Sequence, residues 1–307
     1  MIVQTPTEDV LSQILSTVRA DARCSIRLVA GGTWGVGFPM PSHIKINAVR
    51  KGQCWLRLAG HEPVRLVAGD CVVVAGAPFI LSSEPDGVTV SARDVFGFDP
   101  LAAAIGEGED FAIVGGSVEV DGADGALLTG ALPPVVTIQG DRARSIAWLL
   151  SELDREWNST APGARAMSND LLRMIFIQVL RIYMSDTEAP TQSWLSGLGD
   201  VHIARALEAI HRDPANDWTV DALAREAGQS RSAFAARFKA LLGEAPMSYL
   251  TQWRMRLAAT RLRSSRASIS EIAAAVGYRT DSAMSASFRR VHQMSPATYR
   301  RHHQSFR

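Results

Sequence analysis

The sequence predicts an α+β, multidomain chain: an N-terminal antiparallel β-barrel or jelly roll followed by helices, then a C-terminal all-α domain with two helix-turn-helix units. Three observations carry this expectation. Short strand-like runs separated by glycine turns fill residues 26–120, helical periodicity takes over from Asp141, and one helical pattern is written twice between Trp218 and Tyr299. With 307 residues, 47% hydrophobic and 21% charged, the chain is long enough for two cores and ordinary in composition.

The expected strands are His43 to Val49, Cys54 to Ala59, Pro63 to Val67, Cys71 to Ala75, Phe79 to Ser82, Val88 to Val95 and Phe111 to Val114. Gly52, Gly60, Gly69, Gly76 and Gly87 stand between or at the ends of these runs, a spacing typical of a sandwich or small barrel. Trp34, Phe38, Trp55 and Phe79 are candidates to line a small-effector pocket inside it; the competing reading is that they simply fill the core. Ile146, Leu149, Leu150, Leu153 and Trp157 then mark one amphipathic helix. Leu171, Leu172, Ile175, Phe176, Val179, Leu180 and Tyr183 mark a second, ending near Met184. Their combined apolar surface exceeds what one barrel face needs, which predicts a homodimer contact. Residues 185–200, with Pro190 and two glycines, read as a linker, so the expected domains are 1–140, 141–184, 185–200 and 201–307.

The duplicated units occupy about 220–242 and 269–292. In the first, Thr219 caps a helix whose apolar face is Val220, Leu223, Ala224 and Ala227, and Gly228 ends it. In the second, Ser268 and Glu271 form a capping box before Ile269, Ile272, Ala273 and Val276, and Gly277 ends it. New caps follow at Ser230 and Thr280, before helices that bury Phe234, Phe238 and Leu241 or Met284, Phe288 and Val291. The copies close alike, on Pro246 and Tyr249 and on Pro296 and Tyr299, although the second turn is one residue longer. Ser248 to Leu262 contains neither Pro nor Gly and predicts one stiff helix between the units. Charge is segregated as well. Residues 200–307 carry 17 Lys and Arg against 9 Asp and Glu, whereas residues 1–199 carry 15 against 22. A basic lobe of this kind suits phosphate neutralisation, and arginine, which dominates it, also suits guanine edges.

The stretch WTVDALAREAGQSRSAFAARFKALLGEAPMSYLTQWRM, followed by ISEIAAAVGYRTDSAMSASFRRVHQMSPATYRR, resembles the C-terminal DNA-binding domain of AraC/XylS-family transcription regulators. Trp34, Gly52 to Leu56 and Gly69-Asp70 resemble the cupin-like sensor domain on one branch of that family, as does Ser193 to Pro214. The resemblance implies a cytoplasmic regulator, not an enzyme. Its partners would be double-stranded promoter DNA, RNA polymerase, a small effector and a second copy, with no membrane and no cofactor. Carried onto this sequence, the DNA-contacting positions are Arg231, Ser232, Ala235, Ala236 and Lys239 in the first unit and Arg279, Ser282, Ala283, Ser285, Arg289 and Arg290 in the second. The small residues among them offer few hydrogen bonds to bases, which predicts phosphate positioning and shape readout over bidentate base contacts.

Two other readings are weighed against this one. A cupin-type metal enzyme with an accessory DNA-binding tail needs two or three imidazoles and a carboxylate converging on one cavity. Only His43 and His61 lie in residues 1–199, and Asn47 and Phe79-Ile80 stand where the family pattern commonly carries metal-binding histidines. Redox sensing would use Cys24, Cys54 and Cys71, the only cysteines, with Arg23, Arg27 and Lys51 as nearby cations; it requires an accessible, low-pKa thiolate. An odd number of irregularly spaced cysteines predicts no disulfide framework.

Overall fold

The protein's computed structural model describes residues 9–18, 21–97, 102–119, 128–185 and 192–304. The chain divides into two compact units: Ala20–Asp121 with Leu128–Pro190, and Thr191–Arg307 with Met1–Arg19 and Gly122–Leu127.

The first unit is a two-sheet sandwich. Its strands are β1 (Asp21–Gly31), β2 (Gly35–Phe38), β3 (Ile44–Lys51), β4 (Gln53–Leu58), β5 (Val64–Val67), β6 (Cys71–Val74), β7 (Phe79–Ser82), β8 (Val90–Ser91), β9 (Ala103–Gly106), β10 (Phe111–Glu119) and β11 (Val135–Ile138). One sheet runs β11-β6-β3-β10-β1-β9 and the other β5-β4-β7-β2-β8. The sheets are mixed rather than purely antiparallel, because the edge strands β9 and β8 pair in parallel with β1 and β2. The expected strand from Val88 to Val95 survives only as β8. Ser91 Oγ accepts a hydrogen bond from Arg93 N at 3.2 Å and turns the chain into a short helix, α2 (Ala92–Phe96). Conversely, β10 continues past Val114 through Gly115 and Gly116, since β1 and β3 ladder it on both sides. Inward residues Leu28, Val36, Val49, Leu56, Leu66, Leu81, Phe111 and Ile113 make the core between the sheets.

Helices α3 (Ala147–Trp157) and α4 (Ala164–Met184) form the expected hairpin, and α4 lies against β1 and β10. Its buried face is the apolar stripe read from the sequence, including Leu172, Ile175, Phe176, Val179 and Leu180. Trp148, Met167 and Met174 remain on the outside at 64%, 49% and 49% exposure.

The second unit is helical: α1 (Val10–Val18), α5 (Trp194–Gly199), α6 (Val201–Arg212), α7 (Val220–Glu226), α8 (Arg231–Leu242), α9 (Pro246–Ser264), α10 (Ile269–Ala275), α11 (Asp281–His292) and α12 (Pro296–Gln304). Two elements depart from expectation. Helix α1 buries Val10, Leu11, Ile14 and Leu15, lies against α6 and α9, and falls in the helical unit. The later part of the expected linker is α5, because Ser193 Oγ accepts from Ser196 N at 3.5 Å and Trp194 and Leu195 find a core; residues 186–191 lie outside the described residues. The approach is close at Gly197, where a Cβ would stand 2.7 Å from Leu242 Cδ1. That contact buries Leu242 where Leu241 was expected, while Val291, with no such cover, stays 36% exposed.

His211 on α6 titrates out of its usual range. Its Nε2 lies 2.7 Å from the Tyr249 hydroxyl and its ring 4.1 Å from that of Trp253. Burial, with the Arg256 charge adding to it, brings its pKa down to about 3. Above the unfolded value near 6.5 the imidazole is neutral in both states and stability is independent of its titration. As pH falls from there towards 3, the unfolded chain binds a proton that the folded chain refuses. Stability therefore declines by up to about 1.4 kcal/mol per pH unit. Thermal melts between neutral pH and mild acid should show a steeper loss for the wild type than for His211→Gln, which does not titrate; parallel losses would refute the assignment.

Candidate nucleic-acid interface

Both helix-turn-helix units are built by the caps that the sequence predicts. Thr219 Oγ1 accepts from Ala222 N at 3.1 Å to start α7, and Ser230 Oγ from Ala233 N at 3.4 Å to start α8. In the second unit Ser268 Oγ accepts from Glu271 N at 3.1 Å while Glu271 Oε2 accepts from Ser268 N at 2.7 Å, completing the capping box. Thr280 Oγ1 accepts from Ala283 N at 3.2 Å to start α11. Each cap supplies an acceptor for an otherwise orphaned N–H and fixes where the helix begins, and so which side chains its first turn presents. Phe234 and Phe238 root α8, and Met284 and Phe288 root α11, all fully buried.

With those faces buried, the opposite faces are exposed. On α8 these are Arg231, Ser232, Ala236 and Lys239, with Ala235 half-buried; on α11 they are Ser282, Ala283, Arg289 and Arg290, with Ser285 half-buried and Arg279 exposed in the turn before it. Two cations of the first unit are engaged within the protein, which the sequence does not disclose. Arg231 Nη1 lies 3.1 Å from Asp221 Oδ2, pairing the first turns of α7 and α8. Arg237 donates to Asp200, which itself caps α6 through His202 N and Ile203 N at 3.1 and 3.0 Å. Burial pushes the Asp200 carboxyl up, but Arg237 and the two backbone donors outweigh it and hold the carboxyl below its usual range. Arg237 thus ties α8 to α6. Among the described residues Arg289 and Arg290 have no such carboxylate partner.

The spacer is the single helix expected, and side-chain hydrogen bonds also anchor it. Helix α9 runs 19 residues without a break, burying Tyr249, Leu250, Trp253, Met255, Ala258, Ala259 and Leu262. From its middle, Arg254 donates through Nε to Pro214 O at 2.7 Å and through Nη2 to Asn216 O at 2.8 Å, and its guanidinium lies 5.7 Å from the centre of the Tyr278 ring. One side chain therefore joins the loop before α7 to the turn after α10, at positions 38–40 residues away in one direction and in the other unit in the opposite direction. No local pattern could announce that link.

The other candidate sites fare unevenly. Phe38 and Phe79 line a cavity, whereas Trp34 is packed into the core against Phe111 with ring centres 4.7 Å apart and Trp55 is not among the cavity's lining residues. Cys54 and Cys71 are fully buried, and burial, reinforced by the Asp70 charge, pushes both thiols up to about 12. Neither presents the accessible thiolate that redox sensing requires; the side chain of Cys24 lies outside what is described. Among the described residues no three His, Cys, Asp or Glu side chains converge on one position. No described helix is long and apolar enough to cross a membrane.

Duplicated, capped helix-turn-helix units with cations on their free faces define a DNA-binding protein, and the N-terminal sandwich matches a cupin. Residues 9–185 match the family described as cupin and residues 223–302 the one described as helix-turn-helix domain. A putative AraC-like transcription regulator of Streptomyces lividans is 39% identical over 300 residues, covering 96% of this chain and 98% of that one. Another, of Streptomyces antibioticus, is 38% identical over 303 residues, covering 96% and 99%. The chain belongs to the AraC-like transcription regulators: it is a DNA-binding regulator with an N-terminal cupin domain. A crystal structure of the DNA-binding domain of AdpA, a global transcriptional factor, in complex with a target DNA is 32% identical, covering 35% of this chain and 96% of that one, with a TM-score of 0.33.

Proposed function

We propose that α8 and α11 are the two recognition helices and that one chain places them in successive major grooves on one face of promoter DNA, about 34 Å apart. The observation that carries this reading is the bolted spacer: Arg254 and the buried face of α9 leave the two units little freedom to move independently. In this reading Arg231, Lys239, Arg279, Arg289 and Arg290 hold phosphates. Ser232, Ala235, Ala236, Ser282, Ala283 and Ser285 face base edges and thymine methyls. The cupin domain binds a small effector that shifts the population of arrangements competent for DNA. A second copy docks on the α3–α4 hairpin, where Trp148, Met167 and Met174 supply exposed apolar surface. The regulator acts in the cytoplasm, where RNA polymerase shares the promoter. Buried Cys54 and Cys71 favour the effector over a redox signal.

Selection of bound duplexes from a random pool, followed by hydroxyl-radical footprinting of the full chain, tests the proposal. Two protected patches per protomer, one helical turn apart, are expected. A single patch per protomer would remove one recognition helix, and sedimentation as a strict monomer at micromolar concentration would remove the hairpin contact.

A further inference from the structure

A cavity of about 810 Å³ opens at one end of the sandwich, within the size range of small-ligand sites. Its wall is apolar on one side. The Phe38 and Phe79 rings are stacked, with centres 4.6 Å apart and planes 9° from parallel, and Phe96 lies 6.1 Å from Phe38. Met40, on the loop after β2, adds a flexible thioether.

The other side carries two nitrogen donors from β3. Lys45 and Asn47 pair with the core residues Val74 and Val72 and alternate with Ile44 and Ile46, which are buried on the opposite face of the sheet, so they share the inner face with Val49. Asn47 is only 5% exposed and its Nδ2 has no hydrogen-bond partner among the described residues. Its Oδ1 lies against the backbone of Gly115, close to where a Cβ at that position would stand. A buried amide donor left unpaired is costly, and so is a half-buried ammonium. Lys45 makes no ion pair among the described residues. The Glu119 charge acts on it through space in the opposite sense to burial, but that carboxylate is already held by Arg23 at 3.1 Å. Burial accordingly lowers the Lys45 pKa, and an anion beside it would relieve that cost. Arg93, exposed at the rim, adds a second positive charge at the entrance.

We propose that this cavity binds an amphipathic monocarboxylate, its carboxylate held by Lys45 Nζ and Asn47 Nδ2 and its apolar body against Phe38, Phe79 and Phe96. The proposal rests on the effector reading above and names its ligand class. The phenyl and alkyl forms of such an acid share this chemistry, and the test separates them.

Isothermal titration of the full chain with phenylbutyrate and octanoate, each against its uncharged counterpart phenylbutanol or octanol, reads the class directly. At least one acid should bind at least about tenfold more tightly than its alcohol. Lys45→Met should erase that difference, Lys45→Arg should retain most of it, and Asn47→Leu should reduce it. Which acid binds more tightly assigns the body as aromatic or aliphatic. Equal binding of acid and alcohol, no binding of either acid at millimolar concentration, or an unchanged acid preference in Lys45→Met would each overturn the proposal. The DNA footprint repeated with the bound acid keeps the two readings apart. Tight acid binding without any change in protection leaves this site standing and removes its effector role, whereas an alcohol that binds here and alters protection keeps the effector role and removes the carboxylate.

Discussion

Gly277→Ala should destabilise the helical unit by about 2–4 kcal/mol, and Gly228→Ala by only about 1–2 kcal/mol, although the two glycines end equivalent helices of the duplicated pattern. Both have left-handed backbone, at φ +80° and +64°, so each alanine meets the same conformational penalty. Their surroundings differ. A Cβ at Gly228 would find its nearest atom, the end of the Arg205 side chain, 3.8 Å away. At Gly277 it would stand 2.7 Å from Ala215 O and 2.8 Å from Arg254 Nη2. Backbone at Ala215 cannot yield cheaply, and displacing Arg254 endangers its charged hydrogen bonds to Pro214 and Asn216. Denaturant unfolding of the two variants checks the ratio. The functional consequence is specific too: with the second unit unbolted, protection of one groove should weaken more than that of the other. Equal destabilisation by the two alanines would mean that the contact with the Ala215 loop contributes nothing.

This pair of glycines shows what could be read in advance. Caps, turn glycines and the apolar stripes of α7, α8, α10 and α11 are local signals written within a few residues, and the helices begin at the capping residues that announce them. The strands from β3 to β7 are legible for the same reason, since alternation and turn glycines are local. What the sequence hides is pairing at a distance. Arg254 with Pro214, Arg231 with Asp221 and Gly197 with Leu242 depend on tertiary approach between segments whose spacing follows no period. The pocket was half legible for a related reason. Aromatic residues advertise themselves as lining, and Phe38 and Phe79 are lining, but Trp34 is equally aromatic and is consumed by the core. Lys45 and Asn47 look like the polar positions of a half-exposed strand until the sheet shows that they face inward.

Removing Arg289 and Arg290 together should weaken DNA binding roughly ten- to a hundredfold at moderate salt and lower the slope of log affinity against log salt by about 1 per arginine. Both lie in the last turn of α11, exposed and without a carboxylate partner among the described residues, so their full charge is offered to phosphate. Arg231→Ala should cost less. Arg231 is held 3.1 Å from Asp221 in the free protein, and that exposed pair, worth at most about 1 kcal/mol, must open or be shared when a phosphate arrives. For the same reason Asp221→Asn should strengthen binding to all sequences, by freeing a cation and removing a nearby negative charge. Ser282→Ala, by contrast, removes a neutral hydroxyl at a position that we propose faces the bases, and should redistribute preference among sites with little change in the salt slope. Fluorescence anisotropy titrations across a salt series, run on a selected site and on a shuffled one, separate these behaviours. An unchanged salt slope in the double arginine variant would place α11 away from the phosphates, and equal losses on both duplexes for Ser282→Ala would remove that hydroxyl from base readout.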